Sequence, residues 1–297
     1  MGSIVKGLQN TWQLKKLIVV LWAVNFLLAG LFLIPYCETF RDFFSNRLVT
    51  DILANHNIYS YYAEFYHHMN SAVSYSRSWI QLGNLIHYLL IILLTGGFIS
   101  ALVLKKTINL KEFWKDCLHF RWRMIQIGLI TPVLLGILFL VGLFTGFLFS
   151  FLLPDYFVEE QYFYFLILLS VFILILILAG WLVLDLAKIR IIEGKDRNVG
   201  HSLIEAFRLF VDHPIGFFGS YLVIFVLWLI FVMAYWLLQH HLSDRSPGGI
   251  LLELVVLQAS IWGQIWIRFS RYDVLFQLLQ KNEKELRKSN AELWAKE

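Results

Sequence analysis

Six long apolar stretches constrain this chain more than any other feature of its sequence. They cover residues 17–36, 84–104, 125–153, 162–184, 215–238 and 248–267. Roughly 20 apolar residues of helix are needed to cross the hydrocarbon core of a bilayer, which is about 30 Å thick. Backbone groups in lipid must be hydrogen-bonded internally, and stretches of this length are too long for barrel strands. The sequence therefore predicts an all-α membrane protein with six transmembrane helices within residues 1–270.

The composition excludes an ordinary soluble fold. Hydrophobic residues make up 59% of the 297 positions and charged residues 15%, against about 45–50% and about 25% in soluble domains. The formal net charge is +4. The basic residues lie in the segments between the apolar stretches, where they indicate membrane topology, and they do not form one basic surface. We therefore expect lipid around the chain and no nucleic-acid partner.

Basic residues are divided unequally between the segments that connect the apolar stretches. Of the 25 Lys and Arg residues, 21 lie in segments 1–16, 105–124, 185–214 and 268–297, and four lie in the alternate segments. Cytoplasmic loops are enriched in Lys and Arg, so both termini are expected in the cytoplasm. The long segment 37–83 is then an outer cap of short helices, and 271–297 is a cytoplasmic C-terminal helix.

Two cytoplasmic segments, 110–123 and 199–212, mix apolar and basic residues in a way typical of interfacial helices. In the second, the residues predicted to share one face are Leu203, Ala206, Phe207 and Phe210. Basic side chains at headgroup depth meet anionic phosphates, which makes membrane lipids the expected partner. The candidate lipid-phosphate contacts are Lys105, Lys106, Arg121, Lys188, Arg190 and Arg208. Such elbow helices suggest an internal repeat of three helical hairpins, although any two interfacial loops look alike.

Polar residues inside the sixth apolar stretch are candidates for function, because ionisable groups in lipid are costly. Glu253 lies about one turn inside the stretch, and Ser260 and Gln264 follow at spacings that place them on nearly the same helical face. One interpretation is a polar path for a substrate or proton. The alternative is that Glu253 reaches the outer interface and that the side-chain amides of Gln258 and Gln264 hold helices together.

A weaker hypothesis concerns metal binding in the predicted outer cap. Glu64, His67 and His68 are spaced so that one helical turn would present all three side chains together. Imidazole and carboxylate groups bind zinc or copper. Tyr- and His-rich interfacial loops are common without metal, so the same residues also fit a loop at the membrane surface.

Two features suggest contacts with a second copy of the chain or a partner membrane protein. Gly142 and Gly146 form a small-xxx-small pair that allows close helix packing. In the C-terminal helix, a seven-residue spacing relates Tyr272, Leu279, Leu286 and Leu293. This is half of a coiled-coil seam, and the alternative is a solvated helix stabilised by pairs such as Glu283 with Arg287.

The segment from Asp185 to Pro214 carries a family resemblance. The runs that carry it are Asp185–Arg190, Asp196–Val199, Ala206–Arg208 and His213–Pro214, together with Phe113, Cys117, Phe120, Arg121, Gln264 and Arg268. The chain resembles a bacterial group of uncharacterised six-span membrane proteins, which is distantly similar to the membrane domain of some glycerophosphoryl diester phosphodiesterases. The resemblance implies the bacterial inner membrane as location. No phosphodiesterase catalytic domain is present, so the resemblance implies no activity.

Motifs of enzymes are absent from the sequence. There is no glycine-rich phosphate loop, nucleophile elbow, H-E-x-x-H or CxxC motif. We therefore expect no enzyme activity and no cofactor. The sequence favours a lipid-interacting scaffold or accessory subunit, and the alternative is a transporter of small solutes or lipids with a path along the sixth span.

Cysteine accessibility distinguishes these two hypotheses. Single cysteines at Leu257, Ser260 and Gln264 should resist a water-soluble maleimide, because a scaffold needs no water-filled cavity that reaches the middle of the membrane. The measurement is the labelled fraction in intact membranes. Labelling at all three positions would instead support a transporter.

Overall fold

A computed structural model describes residues 2–45, 70–104, 110–151, 159–194, 198–241 and 247–294, and the described residues form helices without strands. The helices are α1 Gly2–Gln13, α2 Lys15–Ser45, α3 Asn70–Val103, α4 Leu110–Ser150, α5 Glu159–Glu193, α6 Val199–Asp212, α7 Pro214–His241 and α8 Pro247–Trp294. The predicted all-α class is confirmed for this part of the chain.

Five helical segments among the described residues are long and apolar enough to cross a membrane. They are Lys15–Pro35, Ser78–Val103, Leu110–Ser150, Gln161–Glu193 and Pro214–His241. These segments make the chain a multi-pass membrane protein, and each contains or largely overlaps one of the first five predicted spans. The sixth predicted span, 248–267, forms part of α8 but is not among the five. Glu253, Gln258 and Gln264 make it more polar than the others.

Several helices continue past the point where the apolar residues end. Residues 110–123 are the first part of α4 and not a separate elbow helix, so that prediction is wrong. Residues 37–45 and 70–83 likewise continue α2 and α3, and 271–294 continues α8. The reason is that a helix ends where its backbone hydrogen bonding ends, and a change from apolar to polar side chains does not interrupt that bonding.

The second predicted elbow forms a separate helix with the expected bounds. α6 ends where the His213 N–H donates to the Leu209 carbonyl at 3.2 Å. Pro214 then occupies the first position of α7, where its fixed φ and missing N–H cost nothing. Pro247 begins α8 in the same way.

The chain divides into two compact units, and the smaller one is Val19–Ile91. Within this unit, parts of α2 and α3 run antiparallel. The Asn25 Oδ1 and His87 Nε2 atoms are 2.8 Å apart, and the rings of Phe32 and Trp79 lie 5.4 Å apart. A polar pair and an aromatic pair therefore join α2 to α3 in this unit.

The larger unit comprises Met1–Ile18 and Ile92–Glu297. In it, α4 and α5 pack antiparallel through the predicted glycine pair. A Cβ on Gly142 would lie 2.6 Å from Ile173 Cγ1, and one on Gly146 would lie 2.5 Å from Leu169 Cδ2. The close contact expected of these glycines is thus made with α5 of the same chain, and the oligomer contact through them stays a prediction.

The N-terminal helix α1, which the hydropathy pattern does not indicate, packs along α8. Asn10 Nδ2 donates to Asp273 Oδ2 at 3.1 Å, and the Trp12 ring lies edge-on to the rings of Trp262 and Trp266. Gly7 lies directly against Val274. The first turns of the chain are therefore part of the core of this unit.

Gly97 on α3 tests how tightly the larger unit is packed. A Cβ added to Gly97 would overlap Cys117 Sγ and would lie 3.0 Å from the Phe113 carbonyl oxygen. This oxygen belongs to the helix backbone and therefore has little room to move. We expect Gly97→Ala to lower the free energy of unfolding by about 1–3 kcal/mol, the usual cost of overpacking. Thermal or denaturant unfolding in detergent measures the change.

Gly136→Ala on α4 is the matched control, because nothing lies within 4 Å of an added Cβ. Alanine in a helix interior is favoured over glycine by about 0.5–1 kcal/mol, so this variant should be as stable as the parent or slightly more so. Equal losses in both variants would contradict the packing described here.

Candidate functional site

A buried carboxylate on α5 organises the main polar site among the described residues. Asp185 is 1% exposed. Its Oδ1 atom accepts a hydrogen bond from Lys188 Nζ at 2.9 Å, one turn further along the same helix. Its Oδ2 atom faces Arg271 Nη2 on α8 at 2.8 Å. One carboxylate therefore holds two cations, one from its own helix and one from α8.

Two tyrosines complete this cluster. The Tyr221 hydroxyl on α7 donates to Asp185 Oδ2 at 3.3 Å, and the Tyr272 hydroxyl on α8 accepts from Lys188 Nζ at 3.4 Å. The Arg271 guanidinium also lies over both rings, 5.2 Å and 5.6 Å from their centroids. Cations attract aromatic faces more strongly when water is excluded. We call these five residues, from three helices, the Asp185 cluster.

The Asp185 cluster carries more positive than negative charge. Arginine keeps its proton in proteins, and the Arg271 guanidinium lies 2.8 Å from the Asp185 carboxylate. Arg271 is therefore charged at every accessible pH. Its Nε atom is buried without a hydrogen-bond partner. Arg268, one turn earlier on α8, adds an exposed positive charge that acts on Asp185.

A second ionic group lies further along the same two helices. Arg190 Nη1 is 2.7 Å from Glu193 Oε2 and 2.8 Å from Glu283 Oε1. Because Asp185 meets Arg271 and Arg190 meets Glu283, the contact order shows that α5 and α8 run parallel. Arg190, a predicted lipid-phosphate contact, is thus bound by two carboxylates of its own chain.

The other predicted lipid contacts are spread over the structure. Lys188 belongs to the Asp185 cluster, whereas Arg121 on α4 and Arg208 on α6 are exposed on separate helices. Lys105 and Lys106 lie outside the described residues. The structure therefore places one of the six predicted side chains in the main polar site.

The short helix α6 has three distinct faces. Val199, Ser202 and Ala206 are buried against the protein. The exposed apolar face contains Ile204, Phe207 and Val211, which are 56–59% exposed. The exposed polar face contains His201, Arg208 and Asp212. Ala206 and Phe207, which the sequence pattern placed on one face, point in different directions because consecutive helical residues are separated by about 100°.

The residues of the predicted polar path are paired with other side chains. Gln239 Nε2 on α7 donates to Glu253 Oε1 at 3.2 Å, and Gln264 Nε2 donates to Ser260 Oγ at 3.3 Å. Ser260 is buried. The first contact joins α7 to α8, whereas the second lies within α8 itself.

The predicted metal site and the predicted C-terminal seam remain to be compared with the structure. Glu64, His67 and His68 fall outside the described residues, so the predicted metal site stays a prediction. Elsewhere, the described ranges contain no group of three or more potential His, Cys, Asp or Glu ligands. Of the predicted C-terminal seam, Tyr272 and Leu279 are each 1% exposed, so their side chains are occupied within the chain.

Sequence reasoning missed Tyr221, Arg271 and the role of Tyr272 in the site. Asp185 and Arg271 are far apart in the sequence, and the run Asp185–Arg190 that carries the resemblance does not indicate Arg271 as a partner. The available signal was the position of both residues at the basic end of an apolar stretch, where two helices that run the same way can bring them to one level.

Comparisons of the chain with protein-family models, with curated proteins and with solved structures found no match. The assignment of function accordingly depends on the residues and their geometry.

Asp185→Asn tests whether the Asp185 carboxylate holds the three helices together. Loss of its charge leaves Lys188 and Arg271 without their shared counter-ion, and breaking a buried ion pair costs about 3–5 kcal/mol. We expect a loss of stability in this range in detergent unfolding experiments. Glu193→Gln is the control: its carboxylate is 30% exposed, and such pairs contribute at most about 1 kcal/mol. Similar losses for both variants would contradict the central role of Asp185.

Proposed function

We propose that this protein is a non-enzymatic, six-span protein of the bacterial inner membrane that binds anionic lipid headgroups at its cytoplasmic side, as a scaffold or accessory subunit. The observation that carries the proposal is the exposed apolar face of α6 beside an exposed arginine.

The sixth span is supported by the way α8 lies along α7. Gln239 of α7 contacts Glu253, and Tyr221 of α7 contacts Arg271, so the two helices are antiparallel. The segment from Glu253 to Arg271 extends about 27 Å at 1.5 Å per residue, close to the roughly 30 Å of a bilayer core. Because α7 is itself long and apolar enough to span, this part of α8 crosses with it.

The proposed orientation follows from the charges. The segments that contain 21 of the 25 Lys and Arg residues alternate with those that contain four, and the basic ones are placed in the cytoplasm. The Asp185 cluster, α6 and the C-terminal part of α8 all belong to this basic side. Both termini are then cytoplasmic.

Lipid contact at this side is supported by the exposed apolar face of α6. The face formed by Ile204, Phe207 and Val211 continues into Ile215 at the start of α7, which is 88% exposed. Arg208, also exposed, borders it. Apolar side chains at acyl-chain depth with cations at phosphate depth are the arrangement of an interfacial helix. The membrane leaflet is the partner because the face joins the surface of a spanning helix.

The first part of α4 shows a related arrangement. Trp114, Leu118 and Trp122 recur every four residues and are 47–68% exposed, and Lys115 and Arg121 beside them are exposed as well. Tryptophan is enriched at membrane interfaces. Although this segment is not a separate helix, its surface has the same combination of aromatic and basic residues as an interfacial helix.

The resemblance to uncharacterised bacterial six-span proteins agrees with this proposal but adds no activity. The transporter alternative has less support, because Glu253 is bonded to Gln239 of α7 and because Ser260 and Gln264 are bonded to each other within α8. A polar path would require these groups to face water.

Spin-label depth measurements test the proposed position of α6. Labels on single cysteines at Ile204 and Phe207, in a protein that lacks its two native cysteines, should be accessible to oxygen and protected from a water-soluble nickel chelate. Oxygen concentrates among lipid chains and the chelate stays in water. Power-saturation spectra in vesicles that contain phosphatidylglycerol provide the measurement.

Labels at His201 and Asp212 are the matched controls, because both residues lie on the exposed polar face of the same helix. They should show the opposite accessibilities. If the label at Phe207 were as accessible to the nickel chelate as the label at His201, α6 would lie in water and the proposed lipid contact would be wrong.

A further inference from the structure

The Asp185 cluster has an excess of positive charge at the end of the helix bundle. One carboxylate is shared by Lys188 and Arg271, and Arg268 acts on the same carboxylate from one turn away. Two cations are therefore bonded to one anion, and a third cation lies one helical turn away on α8. Uncompensated charge in a partly buried position is unfavourable unless an anion is close by.

The cluster also has donors that remain available. Arg271 Nε is buried and has no acceptor, although buried N–H groups are almost always paired. The side chains of Lys188 and Arg271 are 16% and 21% exposed, so the cluster opens to the surface on the side of its cations. Arg268, one turn before Arg271 on α8, is exposed.

The nearby carboxylates are already engaged. Asp273, on another side of α8, accepts hydrogen bonds from Asn10 and Gln277. Glu193 and Glu283 both bind Arg190. Among the described residues, Glu193 and Glu283 are therefore held at Arg190, beyond the Asp185 cluster, and Asp185 is the carboxylate that Lys188 and Arg271 share.

We infer that Lys188, Arg268 and Arg271 form a binding site for a phosphate group at the cytoplasmic end of α5 and α8. Arginine presents several N–H donors in a planar fork that matches phosphate oxygens, and lysine adds a point charge. This inference deepens the proposed lipid binding and rests on its placement of these helix ends at the cytoplasmic interface. The phosphate comes either from a lipid headgroup or from a free phosphate ion.

Two variants probe the site without removing the ion pair that stabilises the fold. Arg268→Gln changes an exposed residue and should weaken phosphate binding about threefold, as expected for one exposed charge. Arg271→Lys keeps the positive charge opposite Asp185 but removes the fork and the Nε donor. It should weaken binding about tenfold, the effect of losing a charge-assisted hydrogen bond.

The matched controls are Arg41→Gln and Arg41→Lys. Arg41 is exposed on α2 and belongs, by the charge pattern, to the opposite side of the membrane. The same chemical changes there should leave phosphate binding as it is in the parent protein.

The measurement has two arms, each with a defined probe. In the first, native mass spectrometry of the full chain in detergent gives dissociation constants for phosphatidylglycerol and phosphatidic acid. In the second, the unfolding temperature is followed as inorganic phosphate replaces chloride at constant ionic strength, because a ligand that binds the folded protein raises it. If the Arg268 and Arg271 variants weaken only the binding of the lipids, the ligand is a lipid headgroup. If they also reduce the rise in unfolding temperature with inorganic phosphate, free phosphate is a ligand as well.

The inference is overturned if the parent protein binds neither probe, or if Arg268→Gln and Arg271→Lys bind as tightly as the Arg41 controls. Its failure is distinguishable from failure of the proposed function, since the depth of α6 is measured independently of the cluster. If α6 lies in the leaflet but the variants bind phosphate normally, the lipid contact stands and the phosphate site does not.

Discussion

The Asp185 carboxylate is the interaction on which the arrangement of α5, α7 and α8 depends. Apolar helix faces in lipid have little preference for one another, because lipid tails are as apolar as the side chains themselves. A buried carboxylate is different, since it is strongly unfavourable without partners. Arg271 and Tyr221 supply those partners from two other helices, and they do so only at one relative height and rotation of the three helices.

Beside this arrangement, α6 packs against the protein through small residues such as Ser202 and Ala206. Its remaining faces are exposed. Under the proposed function, the exposed apolar face is the part of α6 that lies in the membrane leaflet.

The sequence predicts which segments are apolar enough to lie in a membrane. It does not predict where the helices end or which helices become neighbours. The need for about 20 apolar residues per span identifies five helices that the structure also shows to be long and apolar enough to cross a membrane, because the bilayer acts on each segment separately. The ends of α4 and α8 could not be predicted in this way, since helical hydrogen bonding continues into polar residues. The contact between Asp185 and Arg271 could not be predicted either, because it depends on which helices become neighbours. Lys188 was selected as a lipid contact for its position near the interface, and its spacing of three residues from Asp185 equally allows the salt bridge that forms.

The same reasoning explains why polar residues within apolar helices are weak indicators of a transport path in this chain. Asn25 meets His87 in the smaller unit, and Ser100 meets Asp116 in the larger one at 2.7 Å. Glu253 meets Gln239. In each case a polar side chain that would be costly in lipid bonds to one on a neighbouring helix, and each pair fixes the register of two helices. Arg271 differs from these residues, because after binding Asp185 it still has a buried N–H without an acceptor. A donor that the fold leaves unpaired is a better indicator of a ligand than polarity alone.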